Sequence, residues 1–470
     1  MRHSLFITVT AVSVLLLAGC GASDEYNIID PGTNPSPSEM LDADVAEALA
    51  MAGITGVTRP QADSDELVAL GEALFFDKIL SGNTNISCAT CHHPVAGTAD
   101  GLPVSIGEGG TGLGANRAQG AGALIPRNAP HVFNGGVVGV DSMFWDSRVT
   151  RDPVTGELDT PEPDLNGLAP VLADYAAQLT SALAAQAMFP VTSHEEMRGQ
   201  PLSNPIADAL SNQEVWELLM ERLVGTNDGM TGGIAEYRAL FSAAFPAVVN
   251  FDDFNFGHAA RAIAAFERTR WTAIDTPFDR YLGGSLGALS DAAKRGAILF
   301  TGKAACAQCH GGPLLSDFQH HGVAVPQVGP GKNAPGEDLG LSLESGQVAD
   351  DYKFRTPQLR NVALTGPWMH DGAFTSLEAT VRHHLDPLSS LANYDAGQLP
   401  APFDATVDLD AGRNAARAAA LSPLLQSPVG LSDAEFSDLM SFLHALTDPA
   451  SLNQLPQIPD TVPSGLPVKD

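Results

Sequence analysis

Two pentapeptides constrain this chain more than anything else in it: "CATCH" at 88–92 and "CAQCH" at 306–310. Apart from Cys20 they hold every cysteine of the 470-residue sequence. Cys-x-x-Cys-His is the attachment signature of c-type haem, in which two thiols add to porphyrin vinyl groups and the next histidine ligates the iron. A zinc ribbon would have to bring its pairs together across more than 200 residues, and it gives no reason for a histidine after each. A thioredoxin-like pair would want different surroundings, and an exported chain could otherwise spend these thiols on disulfides. The expected assignment is therefore two covalent haems, one on Cys88, Cys91 and His92 and one on Cys306, Cys309 and His310, with His93 left spare.

The two pentapeptides sit in a repeated unit. "LGEALFFDKILSG" precedes the first and "RGAILFTGKAAC" the second, each with Gly-x-x-Leu-Phe, at Gly71–Phe75 and Gly296–Phe300. Leu67, Leu70 and Leu74 recur at helical spacing, and Ser290 is a plausible N-cap for the second copy. The stretch 256–271 places Phe256, Ala260, Ile263 and Phe266 on one helical stripe, and 431–446 opens with the capping box Ser432/Glu435 and turns Phe436, Leu439, Leu443 and Leu446 inward. His444 on that helix reads as structural. Strand signals are few, whereas 46 glycines and 33 prolines suit long ordered loops around a large bound group. The expected fold is mostly α, with two cytochrome c-like haem domains, 64–280 and 281–450, divided near "TPFDR", and a tail at 451–470.

The N-terminus has a basic start, a short apolar run and "LAGC", which reads as a lipoprotein signal over 1–20 with Cys20 as the lipidated residue. Residues 21–63 then read as a polar tether, and no later stretch approaches the ~18 apolar residues needed to span a bilayer. The expected location is the periplasmic face of a membrane. A formal charge of −30, from 55 acidic and 25 basic side chains, argues against nucleic acid or an anionic lipid surface as the main partner.

A haem that only carries electrons usually has two protein ligands, whereas one that reacts with peroxide needs an open or releasable side. For the second haem, Thr375 and Glu378 read as a capping box that starts a helix near Ser376. On it Leu377, Val381 and His384 share the apolar face and His383 points away. His384 is the leading sixth ligand, with Met369, His370, His320 and His321 as competitors.

From about 61 to 447 the sequence resembles the bacterial di-haem cytochrome c peroxidase family, including its MauG branch, through "LFFDKILSGNTNISCATCH", "VSIGEGG", "IPRNAPHVFNGG", "FWDSRV", "AQAMFPVTSHEEM", "PFDRYL", "LFTGKAACAQCH" and "FRTPQLRNVALTGPWMHDGAFTSLEATVRHH". The resemblance implies a peroxide-reactive first haem with Glu196 as acid/base, Glu195 as its neighbouring alternative, and Gln186 beside it. Trp145 becomes a relay between haems, and Asn128 with the carbonyls of Thr365 and Pro367 the holders of a calcium ion. Where short peroxidases carry a capping histidine this chain has Glu108, a weaker iron ligand, so the first haem is expected to be open or loosely capped, as in the MauG branch. His384 stands where relatives have methionine or tyrosine, and imidazole there should lower the second haem's potential. The implied reaction is reduction of hydrogen peroxide with electrons from a small c-type cytochrome or cupredoxin. A MauG-like oxidation of a partner protein's side chains and a plain di-haem electron carrier are the alternatives. A homodimer is expected by analogy with family members. The connection 151–185 has no reading.

Overall fold

The computed structural model describes residues 36–226, 232–333 and 336–469. The expected signal peptide, including Cys20, and residues 21–35 of the expected tether lie outside these.

The described chain is mostly helical, and its strands are short: Ser142–Met143, Val149–Arg151 and Leu158–Asp159 form one antiparallel sheet, and His320–Gly322 pairs with Lys353–Arg355. Two hydrophobic clusters divide the helices. The first is built on Asp65–Phe76 and Phe256–Arg270, with Leu70, Leu74, Phe75, Phe266 and Trp271 at its centre. The second is built on Asp291–Thr301 and Asp433–His444, with Phe300, Leu439, Phe442 and Leu446 inward. The chain passes from one to the other between Ala273 and Phe278.

The glycine of the repeated unit explains why each helix pair packs so closely. A methyl at Gly71 would lie 1.9 Å from the Ala262 carbonyl oxygen, and one at Gly296 would lie 2.0 Å from that of Asp438. Backbone therefore meets backbone at both crossings, and no other side chain fits. The Leu-Phe that follows places Phe75 and Phe300 in the two cores.

Local signals behave largely as expected. Ser290 caps Asp291–Thr301, Ser432 and Glu435 form a reciprocal box, and the 256–270 stripe is buried throughout. His444 is exposed on the outer face of its helix. One cap differs: the Leu377–Leu385 helix is capped by Ser376, whose hydroxyl accepts from the Ala379 N–H, and not by a Thr375/Glu378 box. The hydroxyl one residue later is the one that reaches the N3 amide.

Both ends of the described chain also correct the reading of tether and tail. Residues 37–51 form a helix that drives Val45 and Leu49 into the second core, while Asp42 pairs with buried Lys294 at 2.6 Å and accepts from the Tyr281 hydroxyl. At the other end Val462 enters the first core and Ser464 hydrogen-bonds Asp77. The first helix among the described residues thus clasps the C-terminal unit, and the last described segment clasps the N-terminal unit. A third cluster joins the units: Leu102, Val104 and Ile106 pack against Val325, Val328 and Phe374.

Gly71→Ala or Gly296→Ala should each lower stability by about 1–3 kcal/mol through overpacking at the helix crossing. Thermal unfolding would show this as a lower midpoint, whereas an alanine at exposed Gly287, which nothing crowds, should leave the midpoint unchanged.

Candidate functional site

A continuous cavity of about 440 Å³ runs between the two cores and is bordered by both Cys-x-x-Cys-His motifs. Each motif is a short turn at the end of the glycine-bearing helix unit, Cys88–Cys91 in the first and Cys306–Gln308 in the second. The four thiols are unpaired, and burial pushes each up, Cys88 and Cys306 to about 12 and Cys309 to about 11. They are held as protonated S–H groups beside an apolar chamber rather than as metal-binding thiolates.

The histidines show what the chamber is built to hold. His92 Nδ1 lies 3.3 Å from the Thr98 carbonyl, and His310 Nδ1 lies 3.1 Å from that of Leu315. A carbonyl can only accept, so Nδ1 carries the proton and each Nε2 lone pair is free for a metal. His384 repeats the arrangement with the Thr380 carbonyl at 2.9 Å. Burial lowers all three imidazoles, His310 to about 4 with His384 as the next cause, so they are neutral at physiological pH. Thiols, neutral imidazoles and apolar walls in this arrangement fit a covalently attached haem at each motif.

His384 and His310 border the same end of the cavity, close enough for each to feel the other. His383 turns to the opposite side, fully buried, with Nε2 2.7 Å from the Val323 carbonyl. Of the competing residues, Met369, His370 and His321 also border the cavity, but His370 is stacked on Phe354 at 3.5 Å and His321 is bound to Asp317 at 2.9 Å, while His320 lines a separate surface pocket.

At the other end Glu196 and Gln186 border the chamber of Cys91 and His92. Glu196 sits in a single π-helical turn, His194–Arg198, capped by Ser193, and such turns often mark functional positions. Burial raises its pKa, opposed by Arg148 and Lys332 and assisted by Glu195. Glu195 itself is exposed, so the wider helical turn separates the two neighbours: one carboxyl faces the cavity and the other faces water. Gln186 closes the Ala182–Gln186 helix.

Glu108 does not join them. Its carboxylate accepts from Asn83 Nδ2 and Asn85 Nδ2, both at 2.8 Å, and it is not among the cavity's lining residues. The loop is fastened from three further directions. The Glu108 N–H donates to the Glu195 carbonyl, Gly107 lies against that same carbonyl, and Arg117 donates to the carbonyls of Ile106, Gly107 and Gly112. "SGNTN", read in the sequence only as part of a family motif, supplies the two asparagines.

Trp145 borders the cavity within a loop where Phe144 and Ser147 both have positive φ, 69° and 56°. Its indole N–H donates to the Asn128 carbonyl at 3.1 Å, and its own carbonyl accepts from the Arg355 N–H at 2.8 Å. Asn128, Thr365 and Pro367 all border the cavity too, and Asn128 Nδ2 donates to the Leu102 carbonyl, which leaves Oδ1 as its free donor atom for a cation.

Sequence reading passed over two groups here. Asp146, fully buried, holds Arg127, Arg148 and Lys332, while Arg127 also forks onto buried Asp338 of the C-terminal unit. Glu267, 6% exposed with one unpartnered oxygen, faces the first chamber and is pushed up to about 8 by burial. Position within a helix that otherwise reads as apolar was the available signal for Glu267.

Comparison with known proteins agrees with this geometry. The family model for di-haem cytochrome c peroxidase matches residues 65–286. The methylamine utilization protein MauG of Methylorubrum extorquens is 30% identical over 409 residues, 86% of this chain and 85% of that one. This chain belongs to the di-haem cytochrome c peroxidase family. The cytochrome c551 peroxidase of Pseudomonas aeruginosa is also 30% identical, over 74% of this chain and 77% of its own. Among solved structures, a MauG-like protein associated with microbial copper homeostasis superposes with a TM-score of 0.58 at 28% identity, covering 87% of this chain and 97% of that one. The diheme peroxidase BthA of Burkholderia thailandensis shares the fold, with a TM-score of 0.51 at 20% identity, covering 89% and 96%. The chain is an oxidoreductase of a di-haem family.

Replacing His384 by alanine should remove the low-spin ferric signal of one haem from the EPR spectrum while mass spectrometry still finds two haems attached. An unchanged spectrum would pass the ligand role to Met369 or another histidine.

Proposed function

We propose that the protein reduces hydrogen peroxide to water at the first chamber, taking electrons through the second from a small soluble redox protein. The observation that carries this reading is Glu196, a half-buried carboxyl with a raised pKa, facing the chamber of Cys91 and His92 beside Gln186. Haem bound there supplies the iron redox chemistry that splits the O–O bond, and one peroxide takes up two electrons and two protons to give two waters.

The chain's residues manage the protons and the geometry. Glu196 takes a proton from one peroxide oxygen and returns it to the departing one. That role calls for a carboxyl pKa above the ordinary ~4.3, and burial supplies the shift here. Gln186 orients the peroxide through its amide. Trp145 offers an aromatic ring for electron passage, and its three-way fastening through Asn128, Arg355 and its own strained loop keeps the ring in place. His384, with Nδ1 on the Thr380 carbonyl, would offer Nε2 as a ligand to the haem at Cys306, Cys309 and His310.

Glu108 separates this reading from a plain electron carrier. Asn83 and Asn85 keep its carboxylate outside the cavity, so Glu108 would not be available to hold the iron of a haem bound at Cys88, Cys91 and His92. The same observation favours a second reading, in which peroxide oxidises side chains of a partner protein, as the likeness to MauG suggests. A calcium ion on Asn128 Oδ1 and the Thr365 and Pro367 carbonyls would stiffen the wall beside Trp145. No helix among the described residues is long and apolar enough to cross a membrane, and we place the protein outside the cytoplasmic membrane, held there by a lipid on Cys20.

Glu196→Gln should slow peroxide consumption by about 10²–10⁴-fold with both haems attached, and unchanged turnover would remove Glu196 from the mechanism. Adding stoichiometric peroxide to the ferric protein should change its absorption spectrum without a reductant. Two low-spin haems inert to peroxide would leave only the electron-carrier reading. Consumption of peroxide that stays slow with every small redox donor would shift the reading to a protein substrate.

A further inference from the structure

The wall that carries Trp145 holds more positive charge than the protein itself neutralises. Four cationic side chains border the cavity there: Arg127, Arg148, Lys332 and Arg355. The first three are held by the buried carboxylates of Asp146 and Asp338. Arg355 has no carboxylate within ion-pair distance among the described residues. Its Nε donates to the Phe144 carbonyl at 2.9 Å, and the guanidinium lies over the Phe318 ring, 5.6 Å from its centre. Burial pushes Arg355 down to about 10.

A second orphan lies beside it. The His131 ring hydrogen-bonds the Gln358 backbone, keeps Nδ1 without a partner, borders the same cavity and feels the charge of both Arg355 and His92. A half-buried cation with no ion-pair partner is costly unless something fills the space beside it with negative charge. Asp146 acts on Arg355 only from beyond ion-pair distance and already serves three closer cations. The negative charge must therefore come from the cavity's occupant. Each haem carries two propionate carboxylates, and a guanidinium fork is shaped to accept one.

We propose that Arg355 is the anchor for a propionate of the haem on His92. Arg355 is then a positioning residue with two attachments. Its guanidinium fixes the haem edge, while its backbone N–H and Nε fix the carbonyls of Trp145 and Phe144. One residue would thereby set the distance between that haem and the aromatic relay. This rests on the reading of the cavity as the haem site.

The test compares the full-length, haem-loaded protein with its Arg355→Met and Arg355→Lys variants, after mass spectrometry has counted two haems in each. Removing the cation leaves a bare carboxylate near iron, which favours the ferric state. Spectroelectrochemical titration should show one haem of Arg355→Met shifted toward ferric by about tenfold or more at a fixed potential, with the other haem unmoved and Arg355→Lys restoring most of the shift. Two potentials identical to the parent's would overturn the proposal. If Arg355→Met does not fold, Arg355→Lys decides by resonance Raman: a displaced propionate bending band supports the contact, and an unmoved band refutes it. A parent protein without covalent haem would instead refute the haem reading, and this inference with it.

Discussion

Everything around the cavity depends on two places where one helix backbone lies directly on another. At Gly71 and at Gly296 the approach leaves no room for a side chain. Without that closeness the partner helices would stand too far off to wall the chambers, and Ile263 and Glu267 on one side or Leu439 and Leu443 on the other would not border the cavity. The repeat is thus a repeated packing solution: a pinched helix pair, then a turn that presents two thiols and a histidine. Placing a large flat group against such a pair replaces the side-chain core that a chain with so many loops would otherwise lack.

The second constraint is electrostatic and belongs to the interface between the units. Arg127 reaches both Asp146 and Asp338, one from each unit, with all three buried. Removing Arg127 would leave Asp338 without an ion-pair partner among the described residues, and an unpaired charge in the interior is costly. The same wall carries Trp145, and the same charges oppose the rise in the Glu196 pKa. The two clasping segments at the ends of the chain act in the same sense. The helix at 37–51 and the tail at Val462 and Ser464 each bind the unit at the far end of the sequence, which ties the units' relative position to both termini.

Glu108 shows how far a motif can mislead about position. Its place in the loop aligns with a residue that caps iron, yet two asparagines more than twenty residues earlier hold it outward. The identity of the side chain was legible in the sequence, but its direction was not, because the partners that decide it come from another loop. Glu267 is the reverse case. It occupies a position in an apolar helix that looks like an ordinary polar interruption, and only the cavity beside it shows that the carboxyl is buried and unpartnered. His383 and His384 lie between these extremes. Helical periodicity alone separated the two faces, and the structure puts His384 toward His310 and His383 toward the Val323 carbonyl.

By itself the sequence determined what depends on local order: the two attachment motifs, the helices with their caps and apolar stripes, and the neutral partner for each thiol pair. These need only neighbours a few residues away, and backbone geometry translates such spacing directly into structure. Tertiary structure decided what depends on distant neighbours. It made the two motifs border one cavity, turned Glu196 inward and Glu195 outward across a π-helical turn, converted residues 37–51 of an expected tether into a docked helix, and left Arg355 without an ion-pair partner among the described residues. Burial and charge balance are properties of the whole surrounding volume, and no stretch of sequence contains that volume.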